Sequence, residues 1–432
     1  MSLTAWAALA VFVGGYVLIA TEKVHRVKVA LGGAVLMLLI GASDAEHAFF
    51  SPEAGIDWNV LVLLLGMMLI VGVLRRTGVF EFAAIWSVKR ARGRPFRVMT
   101  ILVVVTAVAS AALDNVTTVL LIAPVTFLVC ERLAVPVVPY LIAEAMASNI
   151  GGTATLVGDP PNIIIGSRAG LDYVDFLVHL APVIVVVLAA FVGLCRLMFR
   201  DAFRSDPLRA EAVLALDERE AISDARLLVL GLAVLTGVTA AFVLHSVLHL
   251  EPSVVAITGG LLLLALSRLD ATDVARDVEW PTLVFFAGLF IMVGALVNSG
   301  VIGQVARLAA GAAEGHLSAA SMGLLWGSAV LSGLVDNIPY VATMTPVVAE
   351  LAAADGGSAQ ARSLWWSLAL GADLGGNATA IGASAHVVIL GLAEKAGHRI
   401  GFWGFTKYGL ITTAVTMAIV TPYVFLRYFV LG

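Results

Sequence analysis

The chain has 432 residues, of which 60% are hydrophobic and 13% are charged. A water-soluble protein of this size cannot bury so much apolar sequence in one core, so the composition excludes an ordinary soluble globular protein. The formal net charge of −4 gives no indication of nucleic-acid binding. Apolar runs of about 18 residues or more recur along the chain and are long enough to cross a bilayer as helices. The sequence therefore predicts an all-α integral membrane protein.

Ten transmembrane helices and two re-entrant hairpins are predicted in chain order. The transmembrane helices are expected at residues 3–20, 27–42, 58–74, 138–165, 173–195, 226–247, 253–267, 281–297, 364–392 and 406–426, and the hairpins at 98–131 and 318–351. The helices at 138–165 and 364–392 are each interrupted by a glycine-rich stretch, where regular helix is costly. The first segment lacks a basic start and a cleavage site, which favours a retained span over a signal peptide.

Lysine and arginine are concentrated on one side of this predicted arrangement. All but four of the 26 basic residues fall in the loops of one face, and the exceptions are Arg168, Arg307, Arg362 and Arg427. The positive-inside rule places basic loops in the cytoplasm. We therefore expect a multi-pass protein of the plasma (inner) membrane with both termini on the non-cytoplasmic side.

The two halves of the chain repeat one another. The segment WNVLVLLLGMMLIVGVLRRTGVF from Trp58 matches WPTLVFFAGLFIMVGALVNSGVI from Trp280, and the Asp-Asn pair at Asp114 recurs at Asp336 with the same offset. Further along, NIGGTATLVGDPPNIII matches DLGGNATAIGASAHVVI. The matches fall on glycine, aspartate, asparagine, threonine and tryptophan rather than on the apolar residues that any two membrane helices share. This pattern indicates a gene duplication.

Each copy contains five transmembrane helices, an odd number, so the two copies are predicted to have opposite orientations. We assign residues 1–205 to the first five-span repeat, 206–225 to a cytoplasmic linker and 226–432 to the second, inverted repeat. Inverted repeats are typical of secondary transporters, whose sites lie where interrupted helices meet. Unwound backbone within a membrane must be buried in protein or line a wet cavity. We therefore expect the two hairpin tips and two glycine-rich interruptions to form a polar chamber.

Polar side chains at these interruptions define the predicted site. The expected substrate-binding residues are Asn115, Thr117, Asn149, Thr153, Thr155, Asn337, Asn377, Thr379 and Ser384. The expected ion-coupling residues are Asp114, Asp336, Asp373 and His386. The interruptions contain no lysine or arginine, so we expect these carboxylates to lack a basic partner and to be protonated or neutralised by a cation. No catalytic residue, metal centre or cofactor is predicted.

Several of these residues also have a structural interpretation. Asp159 precedes two prolines, a pattern typical of a helix N-cap, and we predict a structural capping role for it. Asp114 and Asp336 could likewise cap the returning arms of their hairpins, where helix N-termini favour anions. The imidazole ring of His386 titrates near neutral pH in its ordinary state, so the sequence allows either a proton carrier or a hydrogen-bonded structural residue at this position.

Carboxylates without a nearby arginine disfavour a dicarboxylate or a phosphate as the substrate. A cation, or a neutral polyhydroxy species that hydrogen-bonds to amides and hydroxyls, suits the predicted chamber better. A channel is less well supported because the sequence contains no ring of like charges beyond the chamber. An enzyme is not expected, because no nucleophile or metal-ligand set is assembled there.

Four motifs resemble those of a known family. They are LDNVTT, SNIGGTATLVGDPPNIII, VDNIPYVATMTPV and LGGNATAIGASAHVVILGLAEKAG. The chain resembles the ArsB/NhaD branch of the ion transporter superfamily, which includes arsenite efflux permeases, sodium/proton antiporters and the melanosomal P protein. Its members are similar in fold to divalent-anion/sodium symporters. Those symporters hold a carboxylate with Ser-Asn-Thr at the hairpin tips, whereas this chain has Asp-Asn-Val from Asp114 and Asp-Asn-Ile from Asp336.

The resemblance implies proton-coupled export of arsenite or antimonite from the cytoplasm. Asparagines and threonines of the chamber would hold the neutral trihydroxide, and the aspartates would handle protons. Sodium/proton antiport is the alternative, because carboxylates, hydroxyls and carbonyls also bind a hard cation. The expected partners are thus arsenite, antimonite or sodium, together with protons and the lipid bilayer, and no nucleic acid. The resemblance also implies a possible homodimer. The sequence has no Walker-type nucleotide-binding loop, so any use of ATP would come through a soluble ATPase partner.

Overall fold

The computed structural model describes most of the chain. It covers residues 2–21, 24–51, 54–92, 94–203, 221–244, 248, 250–312, 316–354, 358 and 360–431. The described residues form helices and connecting turns, with no β-strand among them, which confirms the all-α class. Most of the predicted linker 206–225 lies outside the described residues.

The helices are numbered here in chain order. The first half contains α1 (Leu3–Ala20), α2 (Arg26–Leu39), α3 (Ala45–Phe50), α4 (Trp58–Arg75), α5 (Val79–Ala91), α6 (Pro95–Ala112), α7 (Asn115–Leu133), α8 (Val138–Gly152), α9 (Pro160–Ala169), α10 (Tyr173–His179) and α11 (Ala181–Met198). The second half contains α12 (Ala225–Val243), α13 (Pro252–Ser267), α14 (Ala271–Asp277), α15 (Trp280–Asn298), α16 (Val301–Ala312), α17 (Leu317–Leu334), α18 (Asn337–Ala354), α19 (Arg362–Gly376), α20 (Ser384–Lys395) and α21 (Phe402–Phe425).

Eight of the described helices are long and apolar enough to cross a membrane. They are α4, α6, α7, α11, α12, α15, α17 and the continuous helix Phe402–Val430. Two shorter apolar helices lie at Leu3–Ile19 and Pro252–Ser267. Large apolar side chains are exposed on outer helices, for example Leu3, Val185 and Val229, as expected of surfaces that face lipid. The number of ten transmembrane helices stays a prediction.

Two predicted segments differ from the structure in detail. The expected span 173–195 is divided into α10 and α11 at Leu180, where Ala181 and Pro182 begin a new helix. The segment 75–97, expected as a loop, contains α5. Both differences arise from short helices that hydropathy alone does not distinguish from their surroundings.

Both hairpins reverse direction over two residues. Helix α6 ends at Ala112 and α7 begins at Asn115, while α17 ends at Leu334 and α18 begins at Asn337. A carboxylate stabilises the start of each returning helix. Asp114 accepts a hydrogen bond from the Thr117 N–H at 2.8 Å, and Asp336 accepts one from the Ile338 N–H at 3.1 Å. The capping interpretation of both aspartates is therefore confirmed.

Both interrupted helices break as the glycines predict. Helix α8 ends at Gly152 and α9 begins at Pro160, while α19 ends at Gly376 and α20 begins at Ser384. The backbone folds back on itself in each break. A Cβ atom on Gly152 would lie 2.5 Å from the Gly158 carbonyl oxygen, and one on Gly376 would lie 2.8 Å from that of Gly382. Glycine is required because the chain approaches itself this closely.

Helices from the two halves pack against each other in two equivalent contacts. Helix α4 packs on α13, and its repeat counterpart α15 packs on α2. Glycines permit both close approaches: a Cβ atom would lie 2.4 Å from the Ala256 backbone at Gly66 and 2.8 Å from the Ala30 backbone at Gly288. Gly66 and Gly288 occupy the same position in the two repeats, so the same glycine permits the close helix contact in each half.

Candidate functional site

Side chains from the hairpin tips and helix breaks of both halves meet in the interior. The Asn115 amide donates a hydrogen bond to the Asn149 amide oxygen at 3.3 Å, and Asn149 donates to the backbone carbonyl of Asp373 at 2.5 Å. From the other half, the Asn337 amide donates to the Asp159 carboxylate at 3.3 Å. The structure thus brings together five polar residues that lie far apart in the sequence. We call this region the chamber.

Asp159 and Asp373 are the most isolated acidic groups of the chamber. Both side chains are fully buried. Among the described residues, none donates a hydrogen bond to the Asp159 Oδ1 atom or to either carboxylate oxygen of Asp373. Asp373 faces Thr153 and Asn162, and it is the acidic residue that acts most strongly on Asp159. A buried carboxylate without a partner is costly, so this pair requires protons or a cation.

The predicted capping role of Asp159 is wrong for its side chain. Asp159 occupies the N-cap position of α9, but its carboxylate makes no capping hydrogen bond. The reason is that Pro160 and Pro161 have no N–H groups to donate in the first turn. The carboxylate turns instead towards the amide of Asn337. Asp159 is therefore an acidic residue of the chamber, although the two prolines after it indicated a helix cap.

The expectation that the chamber acids lack basic partners is also wrong, for Asp336. The Arg26 guanidinium lies 3.5 Å from the Asp336 carboxylate and donates a hydrogen bond to the Ser384 hydroxyl at 2.6 Å. Ser384 in turn donates to Asp336 at 2.5 Å. Arg26 is the first residue of α2, far in sequence from the hairpin tip, so the motifs themselves gave no sign of it.

Three of the predicted substrate-binding threonines hold backbone in place. The Thr155 hydroxyl donates to the Ala111 carbonyl, and the Thr379 hydroxyl donates to the Gly333 carbonyl, both at 2.6 Å. These two bonds are repeat-related and attach each helix break to the neighbouring hairpin. Thr153 donates to the Asn149 carbonyl at 2.8 Å. The hydroxyl hydrogens of all three are thus engaged in structural bonds.

The other predicted residues lie in three different settings. Both polar atoms of the Asn377 amide are buried and have no hydrogen-bond partner among the described residues. The His386 ring is buried against Phe405, with Nδ1 3.2 Å from the Thr379 carbonyl oxygen. Thr117 donates its N–H to Asp114 and lines a small cavity on that side of the first hairpin. Asn377 thus has two polar atoms without a partner among the described residues, and His386 has one, its Nε2 atom.

A buried acid outside the chamber was also missed. Glu144 of α8 is buried, and its carboxylate accepts a hydrogen bond from the Thr126 hydroxyl at 2.5 Å. The repeat positions of these two residues are Leu368 and Val348. Glu144 aligns with the apolar Leu368 of the other repeat. This difference between the repeats could have identified Glu144 from the sequence.

The sequence matches a known protein family over most of its length. A family model described as "Citrate transporter", CitMHS, matches residues 16–371. The chain belongs to the CitMHS family. It is accordingly a membrane-embedded secondary transporter of the ion transporter type, and relatives are named as transporters.

Relatives of this CitMHS protein extend from bacteria to mammals. An uncharacterized transporter of Mycobacterium tuberculosis is 55% identical over 424 residues, covering 98% of this chain and 99% of that protein. A 46 kDa membrane protein of Mycobacterium leprae is 51% identical over 425 residues, with the same coverage. The human P protein is 34% identical over 503 residues, and this chain spans 60% of its length. The resemblance to P protein is thereby supported, whereas membership of the ArsB/NhaD branch stays a prediction.

A solved structure confirms the fold of this CitMHS protein. The Alcanivorax borkumensis YdaH transporter aligns with a TM-score of 0.62 at 14% identity, covering 98% of this chain and 96% of that one. That transporter is described as having an unusual topology. At this identity the likeness concerns the fold alone.

Proposed function

We propose that the protein couples proton movement to the transport of a monovalent cation, and that sodium/proton antiport is the activity its chamber supports best. The observation that carries this proposal is the buried pair Asp159 and Asp373, with three carboxylate oxygens that accept no hydrogen bond from the described residues. Two neighbouring carboxylates in a buried site cannot both stay ionised without a cation. Protons and a cation therefore compete for the same oxygens.

That competition is what antiport requires. When a cation binds between the two carboxylates, their protons leave, and when protons bind, the cation is released. The amide oxygens of Asn162 and Asn337 are also buried without partners among the described residues, and they supply further neutral ligands. Carboxylate and amide oxygens are the ligands that a hard cation prefers.

Proton-coupled export of arsenite or antimonite is the second candidate. The observation in its favour is the Asn377 amide, whose donor and acceptor atoms are both free among the described residues and could bind a neutral trihydroxide. Citrate, the substrate in the family description, fits less well. It would bring carboxylates to a chamber that already contains four aspartates, and Arg26 is paired with one of them.

Purified protein in liposomes under an imposed pH gradient tests this proposal. We expect sodium to drive proton movement, and we expect Asp159→Asn and Asp373→Asn each to reduce that movement by about a hundredfold or more, because each removes one of the paired carboxylates. Asp44→Asn is the matched control, since Asp44 lies in an exposed turn with His47.

The outcome separates the two candidates. Proton movement that responds to arsenite but not to sodium would replace antiport by arsenite export. Full sodium-driven activity in both Asp159→Asn and Asp373→Asn would remove the carboxylate pair from the mechanism. Size-exclusion profiles of the variants show whether each protein is folded.

A further inference from the structure

Arg26 connects two separate parts of the molecule. It begins α2, which packs on α15, and its guanidinium also lies over the Phe285 ring of α15 at 5.4 Å. Its polar partners, Asp336 and Ser384, belong instead to the second hairpin tip and the second helix break. Arg26 therefore links the pair of helices α2 and α15 to the second hairpin tip and the second helix break.

We propose that Arg26 is a tethered competitor for the transported cation at Asp336. In the absence of a bound cation the guanidinium neutralises the carboxylate, and an entering monovalent cation replaces it between Asp336 and Ser384. This inference rests on the cation transport proposed above and assigns a second cation position, at the entrance to the chamber.

The geometry of the contact suits exchange. The closest polar contact of the guanidinium is the neutral Ser384 hydroxyl at 2.6 Å, whereas the carboxylate of Asp336 lies at 3.5 Å. The Arg26 side chain is 33% exposed and that of Asp336 is 14% exposed, so the pair is in contact with solvent. An ion pair that is long and partly hydrated is weak, and a competing cation can displace it.

A cavity gives a cation access to this pair. It has a volume of about 300 Å³ and is lined by Ile19, Val24, His25, Arg26, Val335, Asp336, Ile381, Ser384, Val387 and Val388. Three of its lining residues, Val24, His25 and Arg26, belong to the basic segment between the first two predicted transmembrane helices, which the charge pattern predicts to be cytoplasmic. Asp336 lines this cavity, and its charge is one of those that act on Asp159 in the chamber.

In the other half of the molecule the position of Arg26 is uncharged, and the cavity beside it is lined by α4, α9 and the turn after α9 rather than by the hairpin tip. Alignment of Gly32-Gly33 with Gly259-Gly260 places Ser253 at the position of Arg26. Ser253 donates to the Asn59 amide oxygen at 2.9 Å and lines a second cavity of about 300 Å³. Among the described residues, no arginine or lysine forms an ion pair with Asp114, the counterpart of Asp336. The cationic side chain is thus an addition to one repeat rather than a requirement of the scaffold.

Sodium-dependent proton flux in liposomes tests the competition. We expect Arg26→Gln to lower the apparent KM for sodium by about fivefold, because the internal competitor is gone. Asp336→Asn leaves the arginine charge unpaired at the entrance and should raise that KM by about tenfold or more. In Arg26→Gln/Asp336→Asn the KM should stay at least about threefold above that of Arg26→Gln, because the carboxylate that would hold the entering cation is also gone.

Two results would overturn the inference: an unchanged KM for sodium in Arg26→Gln, or a double variant whose KM equals that of Arg26→Gln. Arg26→Lys keeps the charge and should retain a KM near the wild-type value, which guards against misfolding of the glutamine variant. Arg276→Gln is the matched control, because Arg276 is exposed and pairs with Asp273 in α14. Wild-type flux without any sodium dependence would refute the proposed function and this inference together, whereas sodium-dependent flux that Arg26→Gln leaves unchanged refutes the inference alone.

Discussion

The two hairpin tips have the same backbone and different electrostatic surroundings. Each reverses over two residues and places an aspartate at the N-cap of the returning helix. At the second tip Asp336 also contacts Arg26, whereas at the first tip Asp114 has its capping bond, and the neighbouring Asn115 bonds to Asn149. The aspartates therefore stabilise the returning helix at both tips. Among the described residues, a basic partner is paired only with the aspartate of the second tip.

The same division holds in the chamber and around it. The glycines of the helix breaks and the capping aspartates Asp114 and Asp336 recur in both repeats, while several other charged or titratable residues do not. The pairs that differ, first repeat before second, are Arg26 and Ser253, Glu144 and Leu368, Asn149 and Asp373, Asp159 and Ala383, and Asn162 and His386. Repetition thus marks residues that build the scaffold, and departures from repetition mark residues that determine its chemistry.

The largest effect is expected where the repeats are most alike, at the glycines that join the halves. Gly66→Ala places a Cβ atom within 2.6 Å of three backbone atoms of α13, and Gly288→Ala places one 2.8 Å from the backbone of α2. We expect Gly66→Ala to cost about 3 kcal/mol or more and Gly288→Ala about 1–2 kcal/mol, since backbone cannot move aside as a side chain can. Thermal unfolding in detergent measures both.

Gly32→Ala is the control for this comparison, because a Cβ atom there meets nothing within 4 Å. It should unfold at the wild-type temperature or slightly above, as alanine favours helix. Equal unfolding temperatures for Gly66→Ala and Gly32→Ala would show that the α4 and α13 contact is looser than the structure indicates.

The repeated positions explain how much of the structure could be predicted. Hydropathy, glycine spacing and the Asp-Asn pairs located both hairpins and both helix breaks to within a few residues, because these features depend on local backbone chemistry. The short helix α5 and the break between α10 and α11 were not predicted, since the composition of these segments does not differ from that of a loop or of a continuous span.

The site was harder to predict, because its chemistry depends on contacts between distant segments. Asp159 was assigned a local capping role, and only the fold shows that its carboxylate meets Asn337. Arg26 was counted among the basic loop residues, and nothing local relates it to Asp336. Comparing the two repeats position by position would have identified both residues. Asp159 aligns with Ala383, and Arg26 aligns with Ser253.

An intermediate effect is expected at Glu144, where the repeats differ outside the chamber. Thr126→Val removes the hydroxyl that bonds to the Glu144 carboxylate, and we expect a loss of about 1–3 kcal/mol because a buried acceptor is left without its donor. The double variant Glu144→Leu/Thr126→Val copies the apolar pair of the second repeat. It should recover most of that loss, since replacing both partners leaves no unsatisfied group. A double variant less stable than Thr126→Val would contradict this.

The smallest effect concerns pH and compares Glu279 with its repeat counterpart Asp57. Asp57 caps α4 and accepts a hydrogen bond from Ser167 at 2.6 Å, whereas Glu279 makes no capping bond and is bonded by Thr282 at 3.2 Å. Burial, and secondarily the nearby charge of Asp114, raise the pKa of Glu279 to about 7.

A raised carboxyl pKa means that the folded protein binds the Glu279 proton more tightly than the unfolded chain does, so stability should rise as pH falls from 8 to 6. Glu279→Gln should unfold a few degrees above the wild type at pH 8 and by a smaller margin at pH 6. Asp57→Asn, which weakens a cap, should lower the unfolding temperature at both values of pH. A Glu279→Gln margin that is the same at pH 8 and pH 6 would mean that the buried glutamate does not titrate in this range and that the two N-termini differ in geometry alone.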